Sequence, residues 1–297
     1  MNNILTIDVE DYFHVAALAN AISVDDWDSI KPRVYENTQK ILTTLEKYDS
    51  TATFFVLGWV AERFPELVKE IDAMGHEVAS HGYSHQLVYN QTPELFYSET
   101  SKSKEILENI IGKEVTGYRA ASYSITRKSL WALDILCELG FSYDSSIFPV
   151  YHDRYGIADS PSVPHMLVSP NGSRIIEYPL SVFKLGSYNL PVAGGGYFRL
   201  YPYWLTRFFY NAINKKDLSF VFYMHPWEID ADQPRIKTNW FSEFRHYNNL
   251  DKTENRLIRL LNDFKFIGMS EYLKIEDLLS NKEALLVDYR QENLTNE

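Results

Sequence analysis

The feature that most constrains this chain is an alternation of short apolar runs with longer segments of helical periodicity, sustained from residue 4 to residue 144. Residues 4–7 read as a buried strand, and a helix over 35–48 follows with Ile41, Leu42 and Leu45 on one face. Further strands are expected at 52–57, 77–80, 116–119 and 141–144, separated by helices at 60–74, 93–111 and 128–139. Gly75 and Gly140 stand where helix C-caps belong. Strands alternating with helices of this length imply βαβ units and a parallel sheet, an α/β fold. From 145 to about 202 the chain is richer in Pro, Gly and aromatic residues, so long loops and extra strands are expected. Gly194-Gly195-Gly196-Tyr197 reads as a tight turn rather than a phosphate loop, because a strand-to-helix context is not evident. A helix at 203–213, a strand at 219–224 and a final helix at 253–264 complete the pattern, and 281–297 reads as a polar tail. No repeat or Gly/Ser linker divides the chain, so 1–280 is read as one domain with an extension from about 200.

Charge and composition narrow the function. The 297 residues carry 29 Lys+Arg against 40 Asp+Glu, a net charge of −11, which disfavours an extended nucleic-acid partner because phosphate binding needs a basic face. No apolar run approaches the roughly 20 residues of a membrane helix, and the N-terminus shows no basic segment followed by an apolar one. A lone cysteine, Cys137, excludes an internal disulfide and reads as a buried, inert thiol. Together these suggest a cytoplasmic protein; oligomeric state is not legible. Aromatic residues reach 15% of the chain with 21 Tyr, and some of that excess is expected to line a wet binding surface.

In a parallel α/β sheet, ligands bind at the carboxyl ends of the strands, so polar residues just past a strand are the ones to examine. Asp8-Val9-Glu10-Asp11 places three carboxylates there. His81 and His85, four apart and just past another strand, have the spacing of paired nitrogen ligands, and a carboxylate from a neighbouring strand would complete a His-His-carboxylate metal site. Arg119 closes a third strand and suits the fixed holding of a carboxylate, although a surface ion pair explains its spacing equally well. His225 ends a late apolar strand at the same rim, whereas His76 precedes its strand and belongs to the opposite end.

These segments, in this order, resemble the polysaccharide deacetylases of the family-four carbohydrate esterases. The His-x-x-x-His element within 75–85 is the most specific match, and the resemblance runs closely over about 3–150 and again at the strand ending in His225. A narrower resemblance, to a subgroup associated with exopolysaccharide and exosortase loci, rests on 8–14, 143–146, 152–156, 194–199 and 244–247. The family resemblance implies a distorted (β/α)7 barrel and metal-dependent removal of acetyl groups from N-acetylated sugars. Position by position it implies Asp8 as general base, Arg119 as the residue that fixes it, His225 as general acid, the Ser122 N–H as oxyanion donor, and His81 and His85 as metal ligands. Zn²⁺ is the first candidate ion and Co²⁺ another. The family's usual pair of adjacent aspartates is Asp8-Val9 here, so the third ligand is expected from Glu10, two residues on and on the same strand face, with Asp11 in reserve. Ala121 replaces the usual proline, which implies a less rigid oxyanion loop. Tyr83, Tyr123 and Trp227 are candidates for stacking a sugar, and His246 is expected to pack or touch substrate rather than bind metal. Hydrolysis of a small amide or cyclic ureide on the same barrel, and sugar binding without catalysis, are the alternatives.

Overall fold

A computed structural model describes residues 1–15, 18–19, 21–152, 154–275 and 285–290. The first half repeats strand and helix: β1 (Asn2–Val9), α1 (Val34–Lys47), β2 (Thr53–Val56), α2 (Gly58–Arg63), α3 (Pro65–Ala73), β3 (Glu77–Ser80), α4 (Pro93–Ile111), β4 (Gly117–Tyr118), α5 (Trp131–Glu138) and β5 (Tyr143–Asp144). The second half adds β6 (His165–Val168), β7 (Arg174–Glu177), the antiparallel hairpin β8 (Val182–Leu185) and β9 (Tyr188–Pro191), α6 (Gly195–Leu200), α7 (Tyr203–Asn214) and β10 (Val221–Met224). It ends with α8 (Trp240–Tyr247), α9 (Leu250–Asp263), β11 (Lys265–Ile267), α10 (Met269–Ile275) and β12 (Leu286–Asp288).

Strands β10, β1, β2, β3, β4, β5 and β7 are hydrogen-bonded side by side in that order, every neighbouring pair parallel. This is the distorted seven-stranded α/β barrel that the family resemblance implies. Among the described residues no regular ladder joins β10 to β7. Instead the Tyr223 N–H donates to the Ala193 carbonyl at 2.8 Å, and the Val221 N–H donates to Ser181 Oγ at 2.7 Å. Gly194 makes that approach possible. Its backbone lies at φ 137°, and a Cβ there would sit 2.0 Å from the Tyr223 carbonyl oxygen. The glycine run is therefore a close-packed turn that opens α6, as expected of a turn rather than a phosphate cradle.

Strand alternation sorts the core into two layers. Leu5, Ile7 and Val9 of β1 face the surrounding helices, whereas Ile4, Phe55, Ala79, Tyr143, Val221 and Tyr223 fill the barrel interior. Continuing the interior series by twos along three of these strands gives Thr6 and Asp8, His81, and His225. The same period that builds the core thus delivers the polar groups to its upper rim.

Three differences from the expected elements have local causes. The helix at 60–74 is two helices, because Pro65 begins α3 and forces Phe64 out of helical geometry (φ −129°, ψ 57°). Helix α8, β11 and α10 went unassigned in the sequence reading. Part of the polar tail, Leu286–Asp288, pairs in parallel with β6, and Tyr289 is buried; the rest of that tail, apart from Leu285 and Arg290, lies outside the described residues, as does Asp153. Among the described residues no helix is long and apolar enough to cross a membrane.

Candidate functional site

Asp8 and Arg119 form the centre. Arg119 is fully buried and donates from Nη1 to Asp8 Oδ1 and Thr6 Oγ1, each at 2.7 Å. Its remaining nitrogens donate to Ser145, Nε to the carbonyl at 3.2 Å and Nη2 to Oγ at 2.9 Å, while the guanidinium lies 4.1 Å from the Phe55 ring centroid. The arginine is therefore held at both ends, and the surface ion pair considered from sequence is ruled out by its burial. Asp8 Oδ2 is left facing the Tyr123 hydroxyl at 3.4 Å and His225 Nε2 at 4.0 Å.

Beside this pair, one ligand atom from each of Glu10, His81 and His85 lies within 4.8 Å of the others. His81 Nδ1 is 2.8 Å from the Arg119 carbonyl, a bond that places the proton on Nδ1 and leaves the Nε2 lone pair free. Glu10 Oε2 is buried and 3.1 Å from His85 Nε2, yet the two are not aligned as a hydrogen bond. A buried carboxylate oxygen without a hydrogen-bond partner, within 4.8 Å of ligand atoms on two histidines, fits a divalent cation. Glu10 stays ionised well below the usual carboxylate range; burial opposes this, and the neighbouring His85, His225 and His81 outweigh it. Burial lowers His81 to about 4, so its ring is neutral and able to ligate.

Asp11, the reserve ligand, is committed elsewhere. Its carboxylate accepts the backbone N–H groups of Tyr12 at 2.8 Å, Arg33 at 2.5 Å and Val34 at 2.8 Å, which ties the site loop to the first turn of α1. His14, next in the same loop, accepts the Asp11 N–H through Nδ1 and packs among Phe13, Trp27 and Trp59.

His225 stands opposite Asp8. Its Nε2 is 2.9 Å from Glu10 Oε1, and its Nδ1 is 2.7 Å from Glu228 Oε1. Burial favours the neutral ring, but the two carboxylates prevail and raise it to about 10, so His225 carries a proton at neutral pH. Glu228 was missed in the sequence, although its place three residues after a residue that begins a turn is the spacing of a capping box. Arg199, which pairs with Glu228 at 2.7 Å, was noticed only as part of a motif.

The loop that follows β4 contains left-handed backbone. Ser122 (φ 50°) and Tyr123 (φ 56°) are successive positive-φ residues, and the Ser122 N–H enters none of the hydrogen bonds among the described residues. Ala121 does not leave the loop slack. Ser124 Oγ donates to the Ala121 carbonyl at 2.6 Å and accepts the Val88 N–H, while the Ala120 N–H donates to Ser146 Oγ at 2.8 Å.

The three proposed sugar-stacking residues need correction. Trp227 is buried with His225 stacked on one side at 5.2 Å and His246 stacked at 4.4 Å, so it supports His225 and offers no free face. Tyr83 donates its hydroxyl to Glu62 at 2.6 Å beneath the Lys102 ammonium, which commits it to α2 and α4. Tyr123 does reach the site, but as a buried wall beside Tyr223 rather than an exposed platform. His246 packs as expected, with Nε2 bonded to Gln233 Oε1 at 2.7 Å. His76, bonded by the Ala52 N–H and set against Phe54, is at the far end of the barrel. Burial pushes the Cys137 thiol up to about 11, in keeping with an inert group.

Comparison with known proteins places this geometry. A peptidoglycan deacetylase of Helicobacter pylori is 34% identical over 121 residues, covering 39% of this chain and 40% of that protein. A peptidoglycan-N-acetylglucosamine deacetylase of Bacillus cereus is 36% identical over 92 residues, 31% of this chain and 32% of its own length. The chain therefore matches well under half the length of these curated relatives. A crystal structure described as a putative polysaccharide deacetylase from Mycobacterium smegmatis shares the fold over 96% of this chain and 94% of its own, with a TM-score of 0.61 at 18% identity. Residues 145–274 match a family described as a domain of unknown function (DUF3473), and residues 19–143 match the family model for polysaccharide deacetylase. Residues 19–143 are thus what the chain shares with the polysaccharide deacetylase family.

Proposed function

We propose that this chain is a metal-dependent hydrolase that removes N-acetyl groups from the amino sugars of a polysaccharide, an oligosaccharide or its precursor, releasing acetate. The observation that carries the reading is the convergence, at one end of one barrel, of an Arg119-clamped Asp8, a protonated His225 and the Glu10, His81, His85 cluster. A binding module has no use for a base and an acid facing each other. A divalent cation held by Glu10, His81 and His85, with Zn²⁺ the first candidate and Co²⁺ the next, supplies Lewis-acid polarisation and a more acidic water.

The rest of the reaction falls to this chain's own side chains. Arg119 holds Oδ1 of Asp8, so Oδ2 is the atom that accepts a proton from the attacking water. The Ser122 N–H is the oxyanion donor, a contribution of about 2.7–4 kcal/mol in comparable sites. His225 Nε2 donates a proton to the departing amine, which cannot leave as an anion. Tyr123 and Tyr223 wall one side of the site. A neutral acetylated substrate that becomes cationic on deacetylation suits an acidic chain. The absence of any internal disulfide is compatible with the cytoplasmic reading, and the resemblance to the exopolysaccharide subgroup makes exopolysaccharide precursors first choices as substrates.

The test is acetate release from defined N-acetylglucosamine oligomers by the purified chain, with chelator, with Zn²⁺ and with Co²⁺. Release that depends on added metal is expected. No acetate under any metal condition, or turnover of allantoin instead, overturns the reading.

A further inference from the structure

The Arg199–Glu228 ion pair places two opposite charges in the protein interior beside His225. Both side chains are almost wholly buried, with Arg199 Nε donating to Glu228 Oε2 at 2.7 Å. An ion pair in such a place is rarely the cheapest way to fill space, since apolar residues of similar volume often serve stability as well or better. What the pair touches explains its presence. The other oxygen of Glu228, Oε1, meets His225 twice, accepting its backbone N–H at 3.1 Å and facing Nδ1 at 2.7 Å. These two contacts fix the ring's rotation and leave Nε2 as the nitrogen turned to the site.

Arg199 is itself anchored. Its Nη1 donates to the carbonyls of His246 at 2.7 Å and Asn248 at 3.1 Å, and its guanidinium lies 5.1 Å from the Trp227 ring centroid. Trp227, stacked on both His225 and His246, covers one face of the His225 ring. Every one of these residues comes from the second half of the chain, where α6, the end of β10 and α8 meet.

We propose that Glu228, clamped by Arg199, is the positioning residue for His225, and that building this support is what the second half of the chain contributes to the reaction. The proposal rests on the reading of His225 as general acid. It makes a chemical distinction that a merely structural pair does not. A fixed acid matters when the leaving group must be protonated, as for the amine of an N-acetyl sugar. It matters little when the leaving group departs as a stable anion, as 4-nitrophenolate does.

The experiment compares the metal-loaded full chain and its variants on an N-acetylglucosamine oligomer and on 4-nitrophenyl acetate. His225→Ala and Glu228→Gln are both expected to lower kcat on the amide by about 100-fold or more, the size of a general acid's contribution. KM on the amide and kcat on the ester are expected to stay close to wild type, and Glu228→Asp to recover part of the loss. Glu228→Gln leaves Arg199 buried without a counter-charge and risks misfolding. The double variant Arg199→Met, Glu228→Met removes both charges and is expected to keep the wild-type melting temperature while losing the amide selectively. If His225→Ala spares the amide, the acid reading fails and this inference with it. If His225→Ala is amide-selective but the Glu228 variants match wild type, or lose amide and ester alike, the positioning role alone is overturned.

Discussion

Single residues at this site divide labour that the sequence presents as one acidic cluster. Asp8, Glu10 and Asp11 lie within four positions; Asp8 and Glu10 both approach His225 Nε2, although β1 ends at Val9 and the Glu10 N–H turns back to the Asp8 carbonyl. The fate of Asp11 was not legible, because its three donors come from Tyr12 and from the start of α1, more than twenty residues on. Asp11→Ala is therefore expected to destabilise the fold by about 0.5–2 kcal/mol, the usual cost of losing a helix cap, without removing the metal ligands. Urea unfolding measures the first effect and Zn²⁺ titration the second. Glu10→Gln should do the reverse and weaken Zn²⁺ binding with little loss of stability; equal Zn²⁺ affinity in the two variants would contradict this assignment. Glu228 shows the other limit of sequence reading. Its local spacing to His225 was visible, but its value depends on Arg199, twenty-nine positions away.

Elements were legible where their signal is periodic and invisible where it depends on a neighbour. Strands β1, β2 and β3 and helix α4 follow from apolar periodicity and caps. Strand β12 has only three residues and gains stability from pairing with β6, so nothing in its own sequence announces it. Trp227 was misread for a similar reason. An aromatic beside a histidine at the barrel rim looks like a sugar platform until α8 brings His246 onto it. The glycine run shows what element-level packing demands: Gly194→Ala combines a backbone region reserved for glycine with a Cβ placed against the Tyr223 carbonyl. Strain of this backbone type costs about 1–3 kcal/mol, and the steric clash adds to it. A fall in melting temperature with loss of the β10 edge is expected, whereas Gly186→Ala, at an open turn with nothing near its Cβ, should be far milder.

At the scale of the whole molecule, a buried acidic pair on the helix-facing side of β5 and β7 makes stability depend on pH. Asp144 and Glu177 are register partners across β5 and β7, both fully buried. Burial raises Asp144 to about 6, and burial together with Asp144 raises Glu177 well above the ordinary value, so the pair retains a proton in the folded state that the unfolded chain releases. A carboxyl group whose pKa rises on folding stabilises fully below its unfolded pKa, and that contribution is lost as pH rises through the folded value. Melting temperature is accordingly expected to decline between pH 5 and 8, and Glu177→Gln should flatten the decline. An unchanged slope in that variant would place the proton elsewhere.

The central claim, a metal site served by Asp8 as base, is tested most directly by acetate released per metal-loaded chain for wild type and Asp8→Asn. The account predicts metal-dependent release by wild type and a fall of at least about 100-fold in the variant, with bound Zn²⁺ unchanged. Undiminished acetate release by a metal-loaded Asp8→Asn chain would contradict it.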